Sequence, residues 1–191
     1  LDFETVSFII PRWLGTRPFQ ALPFQFSCHT EDADGSLQHT GFLDLSGAAP
    51  MADFVEAVLA AVGRVGPILV WNRGFEAGVL RRLAADFPRR ATELEAAADR
   101  MIDLLPIYRE HYYHPDQRGS WSIKAVLPTV APDLDYGDLA VSDGQAAQLA
   151  YQEAIAPGTP PERHTELREQ LERYCELDSL AMVQLVRHWA P

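Results

Sequence analysis

The stretch PILVW at residues 67–71 constrains the fold more than any other. It is short, apolar and continuous rather than alternating, the pattern of a strand covered on both faces. Gly63 and Gly66 close the element before it, and Asn72 stands at a helix N-cap position just after it. A helix from Pro50 to about Val62 precedes it, with Phe54, Val55, Val58, Leu59 and Val62 at helical spacing. A second helix follows it to about Phe87, stopped by Pro88. A buried strand between two helices calls for an α/β layered fold.

The rest of the chain supplies the other strands. Residues 1–10 read as a strand running into an apolar loop with Pro11, Gly15 and Pro18. LPFQFSCHT (22–30) alternates, DADG (32–35) is a turn, and SLQHTGFLDL (36–45) returns as the second arm of a hairpin. A helix over 90–99 leads to RMIDLL (100–105), read as a fifth strand. From Pro106 the pattern is helical, broken by YYHPDQRGS (112–120), by Pro128 and Pro132, and by APGTPPE (156–162). The last helix, about 162–189, carries Leu167, Leu171, Tyr174, Leu177 and Leu185 at three- and four-residue steps. This order predicts a mixed five-stranded sheet flanked by helices, its second strand running against its neighbours. At 191 residues the chain fits one domain over 1–191. It opens on Leu1, and the expectation is a piece of a longer protein that starts inside or just before a strand.

Composition narrows the chemistry. The chain is 47% hydrophobic and 10% aromatic, which argues against disorder. No apolar run approaches the ~18 residues of a membrane span, so no membrane partner is expected. Cys28 and Cys175 make neither a disulfide framework nor a zinc cluster, and a reducing cytoplasm is the expected compartment. The net charge is −11, and Lys124 is the only lysine beside 15 arginines. That balance argues against tight non-specific nucleic-acid binding by the chain alone. Carboxylates that hold metal ions would account for part of the acidic excess.

LDFETV, the opening run, places Asp2 and Glu4 on one face of a strand and Leu1, Phe3 and Thr5 on the other. Like charges so placed repel unless something positive lies between them. In VWNRGFEAGVL (70–80) Glu76 falls in the first turn of a helix, where the dipole favours a carboxylate; taken singly it is an ordinary N-terminal glutamate. In YCELD (174–178) Tyr174 and Asp178 are one turn apart on one helix face, near the apolar stripe; taken singly Asp178 is a boundary residue. RGSWSIKAVLP (118–128) carries Lys124 after a turn, where it can reach a phosphate or simply face solvent. His111 and His114 in HYYHPD offer a rival pair of metal ligands.

Taken in order, the acids of the first strand, Glu76 after the fourth strand, and Tyr174 with Asp178 on the last helix resemble the DEDD exonuclease superfamily. The tyrosine four residues before the last aspartate resembles its tyrosine branch. FQFSCH, NRGFE, GSWSIKAVLP and YCELDSLAMV are similar to a bacterial family of unknown function within that superfamily, whose members tend to be joined to a RecB-like nuclease module. The chain departs from the superfamily at Glu76, where N-x-x-F-D is usual. It also has only Leu1 ahead of Asp2, where the family's first strand begins several residues earlier.

The resemblance implies a ribonuclease-H-like fold and a 3'-to-5' exonuclease working with two magnesium or manganese ions on a single-stranded end of DNA or RNA. It implies that Asp2, Glu4 and Asp178 hold one ion. Asp2 would bridge to a second ion with Glu76 nearby, Tyr174 would orient the attacking water, and Asn72, Phe75 and Lys124 would meet substrate. Two other readings stand beside it. One is a catalytically inactive module that binds a partner or positions nucleic acid for a neighbouring nuclease. The other is a small-molecule phosphodiesterase using the same metal pair.

Overall fold

The computed structural model describes residues 1–134, 136–137 and 139–189. Three strands come first in the antiparallel order β1-β2-β3: β1 (Asp2–Val6), β2 (Leu22–Glu31) and β3 (Leu37–Leu43). The helix α1 (Met51–Val62) leads to β4 (Ile68–Val70), α2 (Arg73–Asp86), a 3-10 turn at Pro88–Arg90, and α3 (Ala91–Asp99). β5 (Met101–Asp103) then pairs parallel with β4, and α4 (Leu104–His111) follows at once. A second 3-10 turn at Pro115–Gln117 precedes α5 (Ile123–Val130), α6 (Gly144–Ala154) and the long α7 (Pro161–Trp189).

The α/β layering and the reversed second strand agree with the sequence pattern; the single five-stranded, ribonuclease-H-like sheet does not. The strands form two separate ladders, β1-β2-β3 and β4-β5. Between the two ladders the Leu1 nitrogen donates to the Leu69 carbonyl at 3.0 Å. Two local expectations also change. Leu104 and Leu105 leave the fifth strand for α4, capped by the Asp103 carboxylate accepting from the Leu105 amide. Pro128 lies inside α5 rather than ending it. Its missing N–H removes a single bond from a helix already two residues from its end.

Alternation along the strands divides the interior. Phe3 and Phe26 pack edge-on against Phe54 of α1, within an apolar cluster that continues through Val70, Leu80, Leu94 and Met101. The opposite face of β2 turns toward α7, where the Gln25 amide donates to the Leu171 carbonyl. The β1–β2 register slips by one residue between Glu4 and Thr5, where Pro23 has no N–H to offer. Phe24, the extra residue, stacks on Tyr151 of α6 at 3.9 Å. That packing seats α6 and α7 over the face carrying Asp2 and Glu4. No helix among the described residues is long and apolar enough to cross a membrane.

Candidate metal centre

The strand period of two and the helix spacing of four bring distant acids together. Asp2 and Glu4 leave β1 on one face, while α7 buries Leu167, Leu171, Tyr174 and Asp178 along one stripe. Ligand oxygens of Asp2, Glu4 and Asp178 lie within 4.8 Å of one another. Glu4 is 6% and Asp178 5% exposed. Gly144, the first residue of α6, lies beside the group: a Cβ there would sit 4.0 Å from Glu4 Oε2, an ordinary van der Waals contact.

Burial and mutual repulsion set the charge state of this group. Burial, then Asp178, Glu4 and Glu76, push Asp2 well above the usual carboxylate range. Burial first, with Asp178 next, pushes Glu4 up to about 8, against the opposing pull of Lys124. Asp178 is likewise raised by burial and held back by hydrogen bonding to Tyr136, by Lys124 and by Tyr174. The Tyr174 hydroxyl is raised far above a free phenol, first by burial and then by Asp178.

Glu76 is 3% exposed in the first turn of α2 and does not join the others within 4.8 Å. Burial pushes it up to about 8, and its Oε2 is buried with no hydrogen-bond partner among the described residues. Asn72 stands just before α2 in the left-handed region (φ 74°), which asparagine tolerates, and its side chain makes no capping bond. The capping role expected of Asn72 falls instead to Asp103 at the end of β5. Its carboxylate accepts from the Asn72 amide at 3.0 Å and the Arg73 amide at 2.9 Å. Phe75 is 38% exposed at this helix start.

Lys124 donates to the Tyr174 hydroxyl oxygen at 2.7 Å and to the Ser142 carbonyl at 2.6 Å. Tyr136 donates to Asp178 Oδ1 at 2.6 Å and joins the site unannounced. A tyrosine in an irregular loop has no spacing that would reveal it. His111 and His114 are not brought together with further ligands: neither belongs to a potential metal-binding group among the described residues. The His114 ring instead accepts from the Asp116 amide and caps a 3-10 turn.

Residues 1–122 match a family described as "Domain of unknown function (DUF2779)". The chain belongs to that family. No curated protein and no solved structure matches it. The DUF2779 match takes in Asp2, Glu4, Asn72, Phe75 and Glu76 and stops short of Lys124, Tyr136, Tyr174 and Asp178. The centre is therefore built jointly by the matched segment and the helices that follow it.

Proposed function

We propose that this chain is a metal-dependent nuclease, hydrolysing phosphodiester bonds as a 3'-to-5' exonuclease on a single-stranded end. The observation that carries the reading is the convergence of Asp2, Glu4 and Asp178 in one largely buried group, from the first strand and the last helix. Three mutually repelling carboxylates in a poorly solvated place are stable when a divalent cation replaces their protons. The donor set is all oxygen, which fits magnesium or manganese, and the unpartnered Glu76 Oε2 adds a buried acceptor nearby. Asp2, Glu4 and Asp178 would hold one ion, and Asp2 with Glu76 a second. Bound there, such ions would supply polarisation of a phosphodiester and a lowered pKa for a coordinated water.

The chain's own groups do the positioning. Tyr174, raised above the free phenol, keeps its proton at neutral pH and orients water by hydrogen bonding rather than as a base. Lys124 fixes that hydroxyl from one side and places positive charge beside the acids. Tyr136 holds Asp178 in a single orientation. Phe75 and Asn72 at the start of α2 offer a ring and an amide to the terminal nucleotide. The residue order supports the resemblance to the tyrosine branch of the DEDD exonucleases, and with it a linked RecB-like nuclease as partner.

One observation favours the inactive-module reading: Glu76 lies outside the group whose ligand atoms fall within 4.8 Å of one another. Degradation of single-stranded DNA, single-stranded RNA and short oligonucleotides across a manganese titration separates the readings. The exonuclease reading expects stepwise shortening that requires the ion and is lost in Asp178→Asn. Metal binding with no hydrolysis of any substrate would leave the inactive module.

A further inference from the structure

His29 and His39 are directly paired in the β2–β3 ladder, and their rings lie 4.7 Å apart between centroids. Glu176 comes from α7, with Oε1 3.7 Å from His39 Nδ1. Beneath them two buried serines form a chain of short contacts. His29 Nδ1 lies 2.7 Å and Ser27 Oγ 2.6 Å from Ser179 Oγ, and His39 Nε2 lies 2.8 Å from Ser27 Oγ.

Each histidine thus has one ring nitrogen held by a buried serine, and Ser179 Oγ also lies 3.1 Å from the Glu176 carbonyl. The other nitrogen of His39, Nδ1, faces the Glu176 carboxylate. Two imidazoles and an anion are gathered together in the geometry of a cation site.

We propose that His29, His39 and Glu176 bind a divalent transition metal of the zinc type, at a site distinct from Asp2, Glu4 and Asp178. One ligand atom from each of the three lies within 4.8 Å of the others. Two imidazoles and one carboxylate suit a borderline-soft ion, whereas the all-oxygen group suits magnesium or manganese. Ser27 and Ser179 fill the role of outer partners that orient ligating histidines. His39 and Glu176 are 35% and 49% exposed and line a cleft of about 350 Å³ with Ser27 and Glu172, while His29 lines a neighbouring cleft with Ser179. The ion would tie the β2–β3 hairpin to α7 two residues from Asp178. It stands independently of the nuclease reading.

The test is visible absorption of cobalt(II) added to metal-stripped protein, with zinc affinity measured by competition. The expected result is ligand-field bands of a low-coordinate site, displaced by zinc. His39→Ala should weaken zinc binding by about 10²-fold or more, and Ser27→Ala by about 10- to 100-fold through loss of the outer partner. Glu176→Gln, a change at a half-exposed side chain, serves as a second ligand variant that leaves the core untouched. Asp178→Asn should leave the cobalt bands in place. Bands absent from the parent, retained at full zinc affinity in both His39→Ala and Glu176→Gln, or lost in Asp178→Asn would overturn the proposal.

Discussion

The ammonium of Lys124 lies 2.7 Å from the Tyr174 hydroxyl oxygen and 4.4 Å from the centre of its ring. One cation thus addresses both the oxygen and the π face of the residue that borders Asp178. It also lowers the pKa of Glu4 and Asp178, which burial raises. Lys124→Met should therefore drive both carboxylates further upward. Metal must displace those protons, so the acid limb of the manganese-dependent pH–rate profile should move to higher pH. An unshifted limb would remove Lys124 from the electrostatics of the centre.

The acids also make a statement about stability. Glu4 and Glu76 titrate near 4.5 when unfolded and near 8 when folded. Between those values the folded chain holds more protons, so stability of the metal-free protein falls as pH rises. His29 works oppositely below its ordinary 6.5, because burial first and His39 second lower it to about 4. The window from pH 6.5 to 8 isolates the acids. Urea denaturation in chelator should show lower stability at the upper end, and manganese should restore it by binding the folded state. Equal chelator curves across the window would contradict the raised values.

Glu76 can be read by substitution. Its buried Oε2 has no partner among the described residues, so Glu76→Gln should stabilise metal-free protein at pH 8, where the parent must ionise. As a ligand of a second ion it should lose turnover in Glu76→Ala. Glu76→Asp should lose less, because water can bridge the missing methylene, and excess manganese should rescue it in part. Full turnover in both shortened variants removes Glu76 from the centre.

Tyr174→Phe and Tyr136→Phe should differ in kind. Loss of the Tyr174 hydroxyl should lower turnover by about 10²-fold while sparing metal-induced stabilisation, as for a lost positioning group. Loss of the Tyr136 hydroxyl frees Asp178 Oδ1 and should weaken metal-induced stabilisation as well. Thermal melts with and without manganese, beside turnover, make the comparison.

Asp103 takes three backbone amides, those of Asn72, Arg73 and Leu105. It thereby joins the start of α2, which carries Glu76, to the start of α4. Asp103→Ala should cost about 1–2 kcal/mol in urea denaturation, within the range for a lost helix cap. A change below experimental error would mean that water serves those amides equally well.

Local periodicity made much of this architecture legible. The period-two alternation of LDFETV put Asp2 and Glu4 on one face, and the four-residue step put Tyr174 above Asp178. The hairpin, the buried strand and the long last helix also follow from spacing. What spacing cannot carry is lateral partnership. Whether strands join one sheet depends on lateral hydrogen bonds, and here they form two ladders, β1-β2-β3 and β4-β5. Tyr136, Asp103 and the His29–His39 pair join their sites through tertiary approach across many residues. Asn72 is a capping residue by type, yet its side chain makes no cap and a carboxylate from another strand takes that place.

The account rests on Asp2, Glu4 and Asp178 acting as one divalent-metal centre. Calorimetric titration of manganese into metal-stripped protein tests this most directly, with His39→Ala and Asp178→Asn run beside the parent. The predicted result is proton-releasing binding at pH 7 in the parent, retained in His39→Ala and weakened by at least about 10-fold in Asp178→Asn, a loss of ~1.4 kcal/mol. Binding of the same affinity in Asp178→Asn, or no binding by the parent, would contradict it.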